Sequence, residues 1–545
     1  MKRWPVAIVI VIVLVLGGFL LYRHFVTNRI MDRDGMVFST EDATEDAIED
    51  ATEIDMEKEE TPGQQDRPTL LQVLKVRDYN SKDNWDNGYT ALCYVQWDEM
   101  VLGKESVTAF PKLEAWLQKE NVANQERNDT VLDDIYPKVL EQADKRGEFC
   151  QGYGTTGCFV QRADDRILSV RILEEKNICD EQMENTTLAL NLDPESGEKL
   201  TLNEVLTDTE SIPGILADKI KAKYSLDASG DLTAKLAEYA MEDFIWTLDY
   251  QGITFYFNAY EIIPDQEDVL TATIWFDEMP ELFAAEYTLA PENGWAMLLP
   301  TQQETEVDLS NGDAKKDALC VFTEENEYGS LEIYVTLNGK KQYLKECYGF
   351  SMSPFLVCLG EPGKERYFLY VETTAENDYT NIHIYDLNGE EIVQNSLVEG
   401  TSFAGIRYED EEGGTWYKEV FHDPSEFVLN TRIQLLGTWT GSRTYKTNPE
   451  DGAVLPQADY YELPQDVSPI VSDIDLEVTI LPDQVEETLP AGTQFYFRRT
   501  DGKNYAELEL EDGRKCRIEI EYLEESPTIN GHFEWDCFSD LPYAG

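Results

Sequence analysis

The chain has 545 residues, of which 107 are Asp or Glu and 44 are Lys or Arg, so its formal net charge is −63. Nucleic acids require a positive protein surface, and this charge therefore argues against a nucleic acid as a partner. Hydrophobic residues make up 42% of the chain, which is enough for packed cores, and the length corresponds to about three globular domains.

An unbroken apolar run at residues 4–22 is the first predicted element. It is long enough, as a helix, to cross a bilayer core of about 30 Å. No A-x-A pattern and no lipobox cysteine follows it, so we predict an uncleaved signal-anchor; cleavage after Gly17 and Gly18 is the alternative. The short basic N-terminal tail favours a cytoplasmic N-terminus. Residues 1–27 are thus expected to form a single-pass anchor, with everything after about Thr27 outside the cytoplasm.

A polar stalk is predicted at residues 28–69. Residues 40–55 repeat a T-E-D-A unit, and dense like charge with almost no aromatic side chains surrounds it. Such a segment cannot bury enough apolar surface to offset its ordering entropy. We expect a disordered tether, with an acidic recognition tail as the alternative.

The first folded region, at about residues 70–290, mixes strand and helix patterns. Apolar spacing predicts two consecutive helices, at residues 112–127 and 131–146, with Pro137 starting or kinking the second. Their predicted buried residues are Leu113, Trp116 and Leu117, then Leu132, Ile135 and Leu140. Predicted strands and hairpins occupy residues 89–102, 166–173, 187–192, 245–260 and 270–276. The expected fold is α+β, with helices on an antiparallel sheet.

The segment at residues 249–262, DYQGITFYFNAYEI, resembles the signature of the RsiV-like domain, the DUF3298 family. Residues 191–202, NLDPESGEKLTL, are similar to an upstream segment of that family. Tyr136-Pro137 together with residues 167–170 resembles the DUF4163 domain that commonly precedes it. The resemblance implies a DUF4163-like region at residues 70–180 and an RsiV-like domain at residues 181–290.

Two departures from the family pattern affect the loop that follows the signature strand. Ala259 replaces the usual proline, and residues 264–267 (PDQE) replace a small glycine-containing loop. Phe255 and Phe257 are expected to face one side of this strand. We expect Tyr256, Asn258 and Tyr260 to have structural roles in packing. The alternative is a ligand-binding role for Tyr256, Asn258, Tyr260 and Glu261.

The second folded region, at residues 303–435, is predicted to be β-rich. Strand patterns at residues 331–337 and 381–387 each end in Asn-Gly, the strongest short signal for a hairpin. We expect a sandwich or a propeller-like array. Within residues 308–317 (DLSNGDAKKD), Asn311, Asp313 and Asp317 resemble part of a calcium loop, and a plain polar turn is the alternative. Ca²⁺ is the one cofactor that this pattern suggests.

The last region, at residues 436–545, ends in a predicted meander. Three strand patterns near residues 493–499, 505–510 and 515–522 are joined by Asp-Gly turns. Alternation in the third strand indicates a half-buried antiparallel sheet. A small SH3-like or five-stranded barrel is the expected fold.

Nine cysteines are present without a C-x-x-C motif. Cys150 with Cys158 and Cys516 with Cys537 are sequence-local candidates for disulfides, and free buried thiols are the alternative. The sequence also lacks a G-x-S-x-G elbow, a P-loop and an H-E-x-x-H motif. We therefore expect no enzymatic activity.

Taken together, these features predict a membrane-anchored extracytoplasmic protein of the bacterial cell envelope that binds rather than catalyses. The resemblance implies a sensor-like ectodomain that recognises cell-wall glycan or a protein such as lysozyme. An anti-sigma role would need a cytoplasmic domain, so no intracellular output is expected. A wall-active hydrolase with an unrecognised carboxylate site and a purely structural envelope protein are the alternatives. The acidity suits solubility near a negatively charged envelope or attraction of a basic partner.

Overall fold

A computed structural model describes residues 67–84, 91–146, 150–179, 182–224, 232–309, 316–327, 330–347, 351–360, 363–375, 379–389, 391–408, 415–465 and 467–543. The predicted membrane anchor and almost all of the predicted stalk lie outside these residues. No helix within the described ranges combines the length and the apolar composition that crossing a bilayer requires.

Helices are concentrated in the first third of the described chain. They are α1 (Lys104–Ala109), α2 (Pro111–Arg146), α3 (Leu202–Val205), α4 (Ile212–Tyr224), α5 (Leu232–Leu236) and, near the end, α6 (Glu534–Cys537). Short 3-10 turns occupy Met241–Asp243, Pro280–Leu282 and Ala285–Thr288.

Strands make up most of the remaining structure, so the described chain is mostly β. The first eight are β1 (Val73–Asn84), β2 (Ala91–Leu102), β3 (Gly152–Ala163), β4 (Leu168–Ile178), β5 (Gln182–Leu192), β6 (Ile245–Leu248), β7 (Gly252–Phe257) and β8 (Leu270–Trp275). The next twelve are β9 (Trp295–Leu298), β10 (Thr305–Val307), β11 (Asp317–Glu325), β12 (Leu331–Leu337), β13 (Lys340–Cys347), β14 (Ser351–Leu359), β15 (Arg366–Ala375), β16 (Tyr379–Asp386), β17 (Val393–Glu399), β18 (Thr401–Phe403), β19 (Gly405–Tyr408) and β20 (Thr415–Glu419). The last thirteen are β21 (Phe427–Gln434), β22 (Thr438–Thr447), β23 (Val454–Pro456), β24 (Tyr461–Glu462), β25 (Ile470–Val471), β26 (Leu476–Leu481), β27 (Val485–Leu489), β28 (Gln494–Thr500), β29 (Tyr505–Leu510), β30 (Lys515–Glu519), β31 (Glu521–Leu523), β32 (Ser526–Ile529) and β33 (His532–Phe533).

The first sheet contains one parallel pair, which the expectation of an antiparallel sheet did not include. Its order is β19-β20-β1-β2-β3-β4-β5, and β2 runs parallel to β3 over Cys93–Trp97 and Gly152–Thr156. The connection between these strands contains α1 and α2, and a crossover through a helix is what allows two consecutive strands to be parallel. The long helix α2 therefore lies across the sheet at this pair.

The two predicted helices at residues 112–127 and 131–146 are one continuous helix, α2, with Pro137 inside it. Proline removes one backbone hydrogen bond, which normally interrupts a helix. Here Ile135 and Val139, on either side of Pro137, are fully buried against the Cys93 and Trp97 side of β2. Burial of this face outweighs the missing bond. The prediction that Leu140 is buried was wrong, because Val139 takes that place and Leu140 is exposed.

A second core lies where α4 and α5 cover a three-stranded sheet. The sheet order is β6-β7-β8, and β6 and β7 form an antiparallel hairpin within the predicted segment at residues 245–260. Phe255 and Phe257 face the helices and pack with Leu216 of α4, so the predicted alternation of this strand is confirmed. This small sheet lies beside β5 and closes one end of the first sheet.

The region at residues 303–435 forms a layered β structure. One face of the sheet β17-β16-β15-β14-β9 packs on the sheet β10-β11-β12-β13 through contacts such as Leu369 with Val335. Its other face packs on strands of a large third sheet through contacts such as Phe355 of β14 with Phe403 of β18, whose ring centroids are 5.0 Å apart. The arrangement is a sandwich with a third layer, rather than a propeller-like array. The hairpin at Asn338 and Gly339 joins β12 to β13 as predicted.

The predicted barrel at the C-terminal end was wrong. The strands form an open sheet whose main path is β18-β21-β22-β24-β28-β29-β30-β26-β27, and no closed barrel occurs among the described strands. The meander β28-β29-β30 is present. However, β22 pairs with β21 of the preceding region, and within the described part of the chain β27 pairs with β26 alone, so no pairing between β22 and β27 closes the sheet into a barrel. The sheet is therefore extended at one end and does not close. The expected boundary at residues 435/436 falls in the connection between the paired strands β21 and β22.

A fully buried ion pair joins the first sheet to the elements that follow it. Arg162 Nε donates to Asp164 Oδ2 at 2.7 Å, and neither side chain is exposed to solvent. The other end of the Arg162 guanidinium donates to the backbone oxygens of Tyr287 at 2.6 Å and Leu289 at 3.2 Å. One side chain thus holds the end of β3 against the segment that leads into β9.

A disulfide joins Cys150 to Cys179, with 4.9 Å between their Cα atoms. It connects the residues that flank the paired strands β3 and β4, so it closes that hairpin at its open end. Cys158, the predicted partner of Cys150, points from the middle of β3 and is a free thiol. Cys516 and Cys537 are also free. Both sequence-local pairings were therefore wrong.

Candidate binding groove between the long helix and the first sheet

Strands β2 and β3 separate immediately after their parallel pairing ends at Trp97 and Thr156. The Asp98 side chain fills the point of separation: its Oδ2 accepts a hydrogen bond from the Cys158 backbone N–H at 2.9 Å. Lys75 Nζ donates to the same carboxylate oxygen at 3.0 Å and to the Cys158 backbone oxygen at 3.2 Å. Two side chains therefore replace the backbone pairing that the sheet loses here.

The Asp98 carboxylate is buried yet held in its charged form. Burial alone would raise its pKa, but Lys75, Arg77 and the hydrogen bonds from Arg77 and Cys158 N–H outweigh burial and place the pKa below its usual value. Arg77 Nε lies 2.8 Å from Asp98 Oδ1. The pKa of the neighbouring Cys158 thiol is shifted upward. Burial is the main cause and the Asp98 charge adds to it, and together they raise this pKa to about 12.

Two asparagines of α2 satisfy the part of β2 that has lost β3 as its neighbour, and a third asparagine supports them. Asn121 makes two hydrogen bonds with the backbone of Met100, and Asn124 Nδ2 donates to the backbone oxygen of Asp98 at 3.2 Å. Asn128 donates to Asn124 Oδ1 at 3.1 Å and accepts from Thr156 Oγ1 at 3.3 Å. These positions are spaced i, i+3 and i+7, so they share one face of the helix.

The separation of the strands leaves a cavity of about 610 Å³ between α2, β3–β5 and β6. A smaller cavity of about 120 Å³ shares Arg127, Thr156 and Glu174 with it, so the two form one elongated depression. We call this depression the helix–sheet groove. Its lining includes Trp116, Leu117, Asn121, Asn124, Cys158, Ile172, Leu188, Leu190, Lys199, Glu242, Asp243, Phe244 and Trp246.

The buried lining of the groove combines apolar side chains with the polar side chains of Asp98, Asn124 and Thr156, and the charged residues at its rim are mainly acidic. Arg127 is exposed and pairs with Glu120 at 2.7 Å, so its charge is neutralised within the rim. Glu174 and Glu242 have no cationic partner among the described residues, and Lys199 makes no ion pair within them either. Apolar side chains therefore alternate with amide, guanidinium and carboxylate groups along the groove, and such a mixed lining is expected of a binding site.

The four residues proposed from the signature strand lie outside this groove. The structure brings Asn258 and Glu261 together, because the Asn258 N–H donates to Glu261 Oε2 at 2.6 Å. The Asn258 side chain also pairs with both backbone groups of Thr187, at 2.7 and 3.1 Å. Glu261 Oε1 accepts from Tyr239 Oη at 2.9 Å. These contacts hold the end of β7 against β5, which forms a wall of the groove.

Tyr256 and Tyr260 are not brought together with that pair. Tyr256 is buried; its hydroxyl lies 2.9 Å from Thr247 Oγ1, and the Arg171 guanidinium stacks on its ring at 4.9 Å. Tyr260 is 56% exposed and has a positive φ of 63°. Of the four residues, Tyr260 is thus the one whose side chain is largely open to solvent.

Of the three predicted calcium ligands, Asn311 and Asp313 lie outside the described residues. Asp317 is engaged at the start of β11, where its carboxylate accepts from Leu309 N–H at 3.2 Å and from Asn338 Nδ2 at 2.6 Å. Within the described ranges, no group of three or more His, Cys, Asp and Glu side chains is arranged to hold a metal ion. The Lys316 ammonium lies between Asp277 and Asp308, at 2.7 and 2.6 Å.

The groove residues were missed because their signal is weak in a single sequence. Asparagine has low helix propensity, so three asparagines at helical spacing on the apolar side of α2 indicate buried polar pairing. That pattern at residues 121, 124 and 128 could have been read from the sequence. The parallel pairing that creates the groove had no comparable local signal.

Among the solved structures that are similar to this chain are two that are each described as a DUF3298 family protein. One is from Bacteroides fragilis NCTC 9343, with 16% identity and a TM-score of 0.28 over 40% of this chain and 96% of that chain. The other is from Pseudomonas aeruginosa PAO1, with 13% identity and a TM-score of 0.27 over 41% of this chain and 99% of that chain. No family model and no curated protein matches the sequence. DUF3298 is also the family whose signature the sequence resembles, and this assignment remains a prediction, as do the DUF4163 and RsiV-like assignments.

Proposed function

We propose that the chain is a membrane-anchored, extracytoplasmic binding protein of the bacterial cell envelope that recognises cell-wall glycan. The observation that carries this proposal is the helix–sheet groove, whose larger part has a volume of about 610 Å³. Cavities of this size accommodate small ligands. The elongated shape, extending along α2, suits a segment of a polymer better than a compact metabolite.

The lining of the groove supports a saccharide ligand. Sugar rings combine apolar faces with hydroxyl and amide groups, so their sites pair aromatic or aliphatic surface with hydrogen-bonding side chains. Trp116 and Leu188 provide apolar surface along the groove, while Arg127 and Glu174 provide polar groups at its rim. A neutral glycan does not need a cationic site, which agrees with the acidic rim.

The chemistry of the buried groups favours binding over catalysis. Asp98 is kept ionised by Lys75 and Arg77, so it lacks the proton that a general acid must supply. The Cys158 thiol has a pKa of about 12 and is therefore protonated and weakly nucleophilic near neutral pH. The two most distinctive titratable groups at the base of the groove are thus held in unreactive forms.

A basic protein such as lysozyme is a second candidate ligand, and the net charge of −63 favours it. Opposite charges attract over about 10 Å at 0.1 M ionic strength, and this attraction weakens as salt is added. A glycan bound through stacking and neutral hydrogen bonds should respond little to salt. Binding of the full chain to soluble peptidoglycan fragments and to lysozymes, each at low and high salt, separates the two candidates.

Localisation forms part of the same proposal. We propose that residues 4–22 anchor the chain and that the groove faces the cell wall. A reporter fused after Gly545 tests this topology. Activity of an export-dependent reporter is expected, and activity of a cytoplasm-dependent reporter would refute the topology. Failure of both glycan and lysozyme to bind would refute the binding function.

A further inference from the structure

Four large hydrophobic side chains are exposed near the end of the described chain, where Tyr522 and Tyr543 both lie close to Glu534 and Trp535 follows it in α6. Tyr522 and Leu523 on β31, Trp535 on α6 and Tyr543 beyond it are 44%, 56%, 49% and 55% exposed. We call these four residues the C-terminal aromatic surface. Single exposed apolar residues are ordinary, whereas a cluster of them marks a contact surface. None of the four lines the helix–sheet groove.

The rings on this surface are held in place by the fold. Trp535 stacks on Phe533 with 4.7 Å between ring centroids and 10° between ring planes. The Tyr543 hydroxyl donates to Glu534 Oε1 at 2.6 Å, and the other oxygen of the buried Glu534 accepts from Leu436 N–H at 2.8 Å. Rings that are already fixed lose little conformational entropy when a partner binds.

The surface carries negative charge without any neutralising side chain. Residues 518–543 contain seven Asp or Glu, one His and no Lys or Arg. Glu521, Glu524, Glu525, Asp536 and Asp540 are exposed, and none of them has a cationic partner among the described residues. Exposed aromatic rings beside unpaired carboxylates are complementary to cations, because the ring face and the carboxylate both attract positive charge.

The large sheet that precedes β31 shows how such a pair is satisfied when a cation is present. The Arg517 guanidinium stacks on the Tyr505 ring at 4.2 Å while its Nη2 donates to Glu507 at 2.6 Å. One aromatic ring and one carboxylate together hold one arginine. The C-terminal aromatic surface contains aromatic rings and carboxylates but no arginine or lysine of its own.

We propose that the C-terminal aromatic surface docks a segment of a partner protein that is rich in arginine and lysine. Cationic side chains of the partner lie over Trp535 and the neighbouring tyrosines, with their charges directed to Glu524, Glu525 and Asp536. This site is independent of the groove, and its ligand differs from the neutral glycan proposed there.

A turn on this surface offers a charge-removing variant that should not disturb folding. Glu524 and Glu525 close the β31–β32 hairpin with φ values of 51° and 71°. The next hairpin, β32–β33, uses Asn530 and Gly531 with φ values of 51° and 82°. Asn-Gly is the favoured pair for such turns. The double variant E524N/E525G therefore removes two carboxylates while improving the turn.

The test measures the affinity of deca-arginine for the full chain at 150 mM salt, by calorimetry. We expect W535A to weaken binding about tenfold, the effect of losing a cation–ring contact. E524N/E525G should also weaken binding, without lowering the midpoint of thermal unfolding. The control variant E195Q/E198Q removes the same charge from the exposed turn that follows β5 and should bind as the wild type does.

Three results would overturn the proposal. Equal losses in E524N/E525G and E195Q/E198Q would show attraction by total charge instead of by this surface. An unchanged affinity in W535A would remove the aromatic contribution. In a third result, W535A would still bind deca-arginine but would lose another interaction of the wild type. Loss of binding to a neutral chitin tetrasaccharide would assign the surface to a glycan. Loss of self-association would assign it to a second copy of the chain.

Discussion

Asn121 and Met100 are joined by two hydrogen bonds that replace a strand neighbour. Met100 N–H donates to Asn121 Oδ1 at 3.2 Å, and Asn121 Nδ2 donates to the Met100 backbone oxygen at 2.9 Å. A helix side chain thus satisfies both backbone groups of a strand residue after that strand has lost its partner. This relationship lets the sheet open without leaving unpaired polar groups in the interior.

The first prediction concerns this pair. Asn121→Ala leaves two backbone groups of Met100 without partners, so we expect the free energy of unfolding to fall by about 1–3 kcal/mol. Urea denaturation measures the change. Gln125→Ala, at an exposed position of the same helix, is the control and should alter stability by less than about 0.5 kcal/mol. Equal effects of the two substitutions would contradict the assigned role of Asn121.

The second prediction concerns the buried pair of Arg162 and Asp164. Arg162→Ala removes one charge and leaves the Asp164 carboxylate buried without its partner, so the expected loss is about 3–5 kcal/mol. Arg166→Ala removes a half-exposed arginine whose Nε lies 3.5 Å from Asp165, and its expected cost is at most about 1 kcal/mol. Arg162→Lys keeps the charge but not the planar fork and should fall between them. Thermal unfolding of the three variants tests this order.

The third prediction is the disulfide connectivity. Peptide mapping of non-reduced protein should recover Cys150 linked to Cys179, with Cys158 available for alkylation after unfolding. Replacing both linked cysteines by alanine should lower stability by about 2–4 kcal/mol, since the closed loop constrains the unfolded chain. Recovery of a peptide that links Cys150 to Cys158 would contradict the pairing described here.

The fourth prediction concerns the pH dependence of stability. Burial, with the nearby charge of Lys345, lowers the pKa of His383 from 6.5 to about 4. Between these values the unfolded chain binds a proton that the folded chain does not, so stability falls as pH decreases from about 6.5 to about 4. His383→Gln should reduce this slope in denaturant midpoints. The exposed His532→Gln is the control and should retain it.

Local features of the fold were predictable because short segments determine them. Asn338 and Gly339 form a hairpin through their own left-handed backbone conformations, with φ values of 53° and 76°. The alternation of Phe255 and Phe257 likewise required no knowledge of distant residues. In each case a period of two or a turn-specific residue pair carries the information.

Features that depend on distant residues were not predictable in the same way. The continuity of α2 through Pro137 depends on burial against β2, and the Cys150–Cys179 disulfide depends on the pairing of β3 with β4. The C-terminal sheet stays open because β22 joins a strand of the preceding region. The groove depends on the parallel pairing of β2 and β3 and on its end at Trp97, which no local pattern revealed. The binding residues proposed from the sequence therefore came from the family signature instead.

The central claim is that the helix–sheet groove binds cell-wall glycan, and filling the groove tests it most directly. Leu188 lines the groove and is 37% exposed, so Leu188→Trp adds an indole there with little demand on the core. Val122→Trp makes a similar addition at a 59% exposed position of α2 that does not line the groove. These two variants of the full chain form a matched pair.

The decisive measurement is the affinity of soluble peptidoglycan fragments for the wild type and these two variants, by calorimetry. The proposal predicts binding by the wild type and by Val122→Trp, and at least tenfold weaker binding by Leu188→Trp, with all three chains unfolding at similar temperatures. Equal affinities in the three chains, or no binding by the wild type, would contradict it.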